Sequence, residues 1–165
     1  IEAMSLLDHA RLVIVGNGPL EGRLRALAEE HKVADRVEIL SRVGDEELKA
    51  YYRACSCFVL PSVMRTEAYG MVLAEAMYCG VPAVCTEIAT GTSFVNRDDE
   101  TGYVVEARYA PALAEAIRRL LGDAELRGRF GRQARERVER HFRKEVVARQ
   151  TLELYERVLS GPFPA

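Results

Sequence analysis

Glu67 and Glu75 stand eight positions apart in the stretch Glu67-Ala-Tyr-Gly-Met-Val-Leu-Ala-Glu75. The apolar run Cys57-Phe-Val-Leu60 stops at Pro61-Ser62, and a polar loop leads into a helix pattern that starts near Gly70 and ends at Cys79, with Gly80 as its stop. Glu67 is therefore expected on a loop just before a helix N-terminus, and Glu75 more than a turn inside the helix. At about 1.5 Å rise per residue, the pair can bracket a group roughly 10 Å long. The first N–H groups of a helix lack intrahelical acceptors and favour an anion such as a phosphate. Two carboxylates able to bind hydroxyls on either side of an anion site suit a diphosphate joined to a sugar at one end and a ribose at the other. The neighbours of Glu75 (Leu73, Ala74, Ala76 and Met77) are all apolar, so its charge requires a partner, either a ligand hydroxyl or a buried basic group.

The elements that must hold this pair follow from the hydrophobic pattern. Short β-branched or apolar runs are expected as strands at Arg11 to Gly16, Arg36 to Leu40, Ser56 to Leu60, Pro82 to Thr86 and Tyr103 to Val105. Helical spacing covers Leu20 to His31, a segment from Asp45 through Ala54, Gly70 to Cys79, Pro111 to Leu121, Ala124 to about Arg140, and Glu145 to Leu159. Asp45 is positioned to cap the second of these. Alternation of strand and helix predicts an α/β fold, a doubly wound, Rossmann-like parallel sheet with flanking helices. Nearly continuous apolar strands are those of a sheet buried on both faces. Ligands of such sheets bind beyond the carboxyl ends of the strands. The loops at that edge are Gly16 to Pro19, Ser41 to Asp45, Pro61 to Tyr69 and Glu87 to Asn96.

Composition narrows the remaining possibilities. A chain of 165 residues is enough for one domain, and a net charge of −2 gives no nucleic-acid footprint. Arginines concentrated after Arg118 read first as a solvated helix face and second as a contact with an anionic surface. The four cysteines, Cys55, Cys57, Cys79 and Cys85, adjoin or lie within apolar segments and lack zinc-ligand spacing, so they are expected as small hydrophobes in a reducing compartment. His9, His31 and His141 fall at helix ends or surface loops, away from the ligand edge. Gly16-Asn-Gly18 opens like a dinucleotide fingerprint but is followed by Pro19, which suits a tight strand-to-helix turn.

Taken jointly, Val13-Ile-Val-Gly-Asn-Gly-Pro19, Arg36-Val-Glu-Ile-Leu40, Val59-Leu-Pro-Ser62, the Glu67 to Met77 segment, Gly80-Val-Pro82 and Thr101-Gly102 form an ordered set. With it the chain resembles, over nearly its whole length, the C-terminal donor-binding domain of the family-4 retaining glycosyltransferases of the GT-B fold. The resemblance implies that Glu67, the catalytic residue, contacts donor-sugar hydroxyls beside the reacting carbon. It implies that Ala68, Tyr69, Gly70, Met71 and Val72 present backbone N–H groups to sugar and diphosphate, and that Glu75 binds the ribose hydroxyls. Val43 would offer its backbone to the base, with Asp45 close by. Tyr69 stands where the family usually has phenylalanine.

The reaction implied is transfer of a hexose from a nucleoside diphosphate sugar to an acceptor hydroxyl, with the anomeric configuration kept and no metal or other cofactor required. Asp45 either accepts hydrogen bonds from guanine or only caps its helix. With Thr90-Gly-Thr-Ser-Phe-Val-Asn96, which is similar to mannosyltransferases of bacterial surface polysaccharides, it leans the donor toward GDP-mannose over a UDP-sugar. On the same resemblance, residues 1–165 form a single donor domain. The family's basic Gly-Arg and Lys-Gly segment and its acceptor domain would lie upstream, so this chain alone should bind donor weakly and transfer nothing. The longer enzyme is expected in the cytoplasm, peripheral at the inner membrane face, acting on acceptor sugars or lipid-linked glycans. The competing readings are a nucleotide-sugar epimerase of the same fold and a non-catalytic nucleotide-binding module.

Overall fold

The computed structural model describes residues 1–161. Five strands, β1 (Leu12–Val15), β2 (Val37–Leu40), β3 (Phe58–Leu60), β4 (Ala83–Glu87) and β5 (Gly102–Glu106), alternate with helices in the first two thirds of the chain. The helices are α1 (Glu21–Glu30), α2 (Asp45–Ala54), α3 (Met71–Tyr78), α4 (Thr92–Val95), α5 (Ala110–Gly122), α6 (Ala124–His141) and α7 (Lys144–Ser160), and short 3-10 turns occupy Glu2–Leu6 and Ala34–Arg36. Every strand pairing is parallel, as the alternation requires. The sheet is nevertheless in two pieces: β1 pairs with β2, and β3–β4–β5 form a separate ladder.

The division has a consequence for burial. Only β4, central in the three-stranded piece, is buried from Ala83 to Thr86, whereas β1, β2 and β3 are mostly half-buried. The expectation of strands covered on both faces therefore holds for β4 alone, because the others each have an unpaired edge or an incompletely covered face. Both pieces still pack on one apolar core. Leu12 and Val37 from the first, and Val59 and Val105 from the second, meet Ala28, Ile117, Leu120 and Phe130. A second cluster (Leu73, Met77, Cys85, Val95, Ala134 and Val138) joins α3 to α6 beneath the ligand edge. Burying a side chain such as Leu73, Met77 or Phe130 contributes about 1.5–3 kcal/mol each.

Helix α6 reaches α3 at very close range. A Cβ on Gly131 would lie 2.1 Å from the Gly80 carbonyl oxygen, so only glycine fits that crossing. Buried Asn96 ties β4 to β5, donating to the carbonyls of Ala83 at 3.2 Å and Tyr103 at 3.0 Å, while Thr101 donates to its Oδ1 at 2.9 Å. Several arginines of α5 and α6 are on solvated helix faces: Arg119 pairs with Glu115, Arg135 with Glu139 and Arg140 with Glu136, all four residues apart and all exposed.

Candidate functional site

The loop from Pro61 to Gly70 leaves β3 at its carboxyl end and enters α3. Thr86 on β4 fixes the start of this loop by donating its hydroxyl to the Ser62 carbonyl. At the other end Glu67 Oε1 accepts the Gly70 N–H at 2.9 Å. The carboxylate is thus held at the mouth of the helix by one oxygen, with Oε2 left over. Gly70 is the N-cap in the left-handed conformation, with φ 75° and ψ 57°. A Cβ there would meet Leu73 at 2.9 Å and Leu60 at 3.1 Å, so both backbone angle and space require glycine. The first intrahelical bond runs from the Leu73 N–H to the Gly70 carbonyl at 2.8 Å, which leaves the Met71 and Val72 N–H groups ahead of it in the orphan positions of the helix start. An open depression of about 270 Å³ lies against this carboxylate, lined by Ser62, Val63, Met64, Thr66 and Glu67.

A second wall comes from the loop after β4. The Gly91 N–H donates to the Ala68 carbonyl at 2.8 Å, locking the two loops together. Helix α4 follows at once and is clamped from below by α6. Buried Arg137 donates Nε to the Val95 carbonyl at 3.0 Å and Nη2 to the Phe94 carbonyl at 2.5 Å, and its guanidinium lies 5.4 Å from the ring centres of both Phe94 and Phe142. Phe142 also meets Tyr69 edge-on at 6.0 Å. Burial, partly offset by Arg137, raises the Tyr69 hydroxyl above its ordinary value. Tyr69 is thus a packed support of the loop.

Glu75 departs from expectation. It is exposed, with Leu73, Ala74, Ala76 and Met77 turned into the core beneath it. The Tyr52 hydroxyl on α2 donates to Glu75 Oε2 at 3.1 Å, in place of the expected buried basic group. Nothing in the spacing announces this bond, because 23 residues separate the two.

Asp45 also needs correction as a cap. Gly44 occupies the N-cap of α2 and no side chain caps that helix; Asp45 is the first helical residue and is exposed, with Glu46 and Glu47 beside it. Val43 is half-buried just before it. Both lie at the carboxyl end of β2, and among the described residues no hydrogen bond joins either to Glu67 or Glu75. Glu67, Ala68, Tyr69, Gly70, Met71, Val72 and Glu75 thus share one loop and helix, whereas Val43 lies on the loop before α2 and Asp45 is the first residue of α2.

The four-residue helix α4 lies where a small-residue loop was expected, too short for any periodicity to announce it. Its clamp, Arg137, was equally silent, reading as one more arginine of a solvated helix. His9 and His141 are exposed, and none of the three histidines is on a loop at the carboxyl edge. Among the described residues no cluster of three or more His, Cys, Asp and Glu is arranged for a metal ion, and no helix is long and apolar enough to cross a membrane. The cysteines are free thiols, and burial pushes Cys57 up to about 12 and Cys55 up to about 11, as expected of small apolar side chains.

The family described as glycosyl transferases group 1 matches residues 1–137. O-antigen chain mannosyltransferase C of Escherichia coli is 34% identical over 161 residues, covering 94% of this chain and 43% of that protein. A GDP-mannose-dependent alpha-(1-6)-phosphatidylinositol monomannoside mannosyltransferase of Mycobacterium tuberculosis is 33% identical over 147 residues, 86% of this chain and 38% of its own length. The sucrose-phosphate synthase structure from Thermosynechococcus elongatus superposes with a TM-score of 0.85 at 33% identity, over 96% of this chain and 41% of that one. The chain thus spans less than half the length of these relatives. With its parallel α/β fold, its paired glutamates around the start of α3 and this match, the chain belongs to the glycosyl transferases group 1 family.

Proposed function

We propose that this chain is the donor-binding domain of a retaining hexosyltransferase, which moves mannose from GDP-mannose to an acceptor hydroxyl in polysaccharide or glycolipid synthesis. The observation that carries the reading is the Glu67 carboxylate tied to the Gly70 N–H at the start of α3, with Glu75 exposed along the same helix. Breaking the bond from the sugar's anomeric carbon to the diphosphate leaves the electron pair on the diphosphate. The Met71 and Val72 N–H groups and the helix N-terminus suit that growing negative charge. The acceptor oxygen bonds to the same face of the anomeric carbon, and its proton passes to the departing phosphate. Glu67, with Oε2 uncommitted, favours the positive charge that develops on the sugar ring and need not bond to it.

The acceptor, a sugar or lipid-linked glycan, would be bound by a separate domain of a longer enzyme working in the cytoplasm, peripherally at the inner membrane face. The mannosyl names of the two relatives support the choice of sugar. A polypeptide carrying both domains is expected to release GDP from GDP-mannose only when acceptor is present, giving a product of unchanged anomeric configuration. Interconversion of the sugar without transfer would favour the epimerase instead.

Asp45, exposed and uncommitted as a cap, is proposed to accept hydrogen bonds from the guanine edge. Asp45→Ala is expected to reduce the preference for GDP over UDP about tenfold, the scale of a charged hydrogen bond lost. Titrating both nucleotides against the variant checks this; a preserved preference would remove Asp45 from base recognition.

A further inference from the structure

We propose that Tyr52 is a positioning residue for Glu75, holding its carboxylate so that Oε1 faces the ribose hydroxyls of a bound nucleotide. The inference rests on the donor-domain reading above and adds to it a residue from a different helix. Tyr52 is 7% exposed and is the one buried side chain of α2. Its ring is fixed edge-on against Phe58 at 5.6 Å with an interplanar angle of 73°, so its hydroxyl is presented from a rigid base. That hydroxyl donates to Glu75 Oε2 at 3.1 Å, across the junction of α2 and α3.

A glutamate on an exposed helix face samples many rotamers, and gripping a ligand would cost it that freedom. The bond from Tyr52 selects one rotamer before the ligand arrives. An ionised carboxylate has about four acceptor positions, so one tyrosine hydroxyl leaves ample capacity for a vicinal diol. Burial, followed by the Glu75 charge, pushes the Tyr52 hydroxyl well above its usual range, which keeps it a donor at any physiological pH. A purely structural role for the bond would stabilise the α2–α3 junction and affect all nucleotides alike. A positioning role would act only through the ribose hydroxyls.

The test is an amide-shift titration of the chain with GDP and with 2′,3′-dideoxy-GDP, for wild type, Tyr52→Phe, Glu75→Gln and the double variant. Phenylalanine keeps the ring against Phe58 and deletes only the oxygen. Tyr52→Phe is expected to weaken GDP about fivefold and leave the dideoxy nucleotide unchanged. Glu75→Gln should discriminate in the same direction, and the double variant should be no worse than Glu75→Gln, since the two residues act as one unit. If Glu75→Gln discriminates but Tyr52→Phe binds GDP as wild type does, or loses both nucleotides equally, Tyr52 does not position the carboxylate and the donor reading survives. If Glu75→Gln binds both nucleotides like wild type, the ribose role of Glu75 fails and this inference fails with it.

Discussion

Glu67→Ala, in a polypeptide carrying this domain and its acceptor domain, is expected to lower turnover about 10²- to 10³-fold, the usual effect of removing one preorganised charge from a transition state. Nucleotide affinity should change far less, because the proposed function assigns Glu67 to the donor sugar and Glu75 to the ribose. The geometry gives this substitution two components. Glu67 Oε1 accepts the Gly70 N–H at 2.9 Å, so alanine also removes a helix-start hydrogen bond worth about 1 kcal/mol. Glu67→Gln separates them: its amide oxygen can still accept from Gly70, but the negative charge is gone. Both variants should be nearly inactive with near-normal nucleotide binding. Wild-type turnover in Glu67→Gln would reduce Glu67 to an acceptor that holds Gly70 at the start of α3, and wild-type turnover in the alanine variant would remove it from the reaction altogether.

The second large effect is expected far from any ligand. Gly131→Ala should cost about 3 kcal/mol or more and lower the melting temperature by roughly 10 °C. The new Cβ would lie 2.1 Å from the Gly80 carbonyl oxygen, a backbone atom that cannot swing aside as a side chain would. Helix α6 must then move away from the C-terminal end of α3. The damage would travel, because Arg137 on α6 donates to the carbonyls of Phe94 and Val95 and so holds α4, and the residue before α4, Gly91, donates to the Ala68 carbonyl in the glutamate loop. Thermal unfolding checks the first part, and nucleotide titration at a temperature where the variant is folded checks the second. A melting temperature within about 2 °C of wild type would contradict so close a crossing.

The legible and illegible parts of this chain divide along a physical line. Strands and helices with a clear apolar pattern are readable within two or three positions: α2 is expected from Asp45 through Ala54 and found at Asp45–Ala54. The location of Glu67 before α3 and of Glu75 inside it followed from Leu60-Pro61-Ser62 and Gly80 alone. Contacts between distant residues were not readable. The Tyr52–Glu75 bond needs the angle between two helices, which no local spacing encodes. For the same reason the exposure of Glu75 is not legible locally: four apolar neighbours face inward on a helix whose remaining face is open to solvent.

Of the two roles open to Asp45, the cap falls away because the glycine ahead of it, extended at φ −73° and ψ 161°, takes that position. The split of the sheet was hidden because a parallel strand carries no mark of which strand it pairs with. Arg137 shows the limit most plainly, since an arginine in a helix rich in arginine gives no sign that it is the one turned inward.

Binding of a nucleoside diphosphate by α3 and its preceding loop is tested most directly by an amide-shift titration of this chain with GDP, UDP and ADP, repeated with Glu75→Ala. Shifts are expected only at Val43 to Asp45 and at Gly70 to Glu75, strongest with GDP and largely lost in the variant. Shifts centred elsewhere, or an identical response in Glu75→Ala, would contradict that binding.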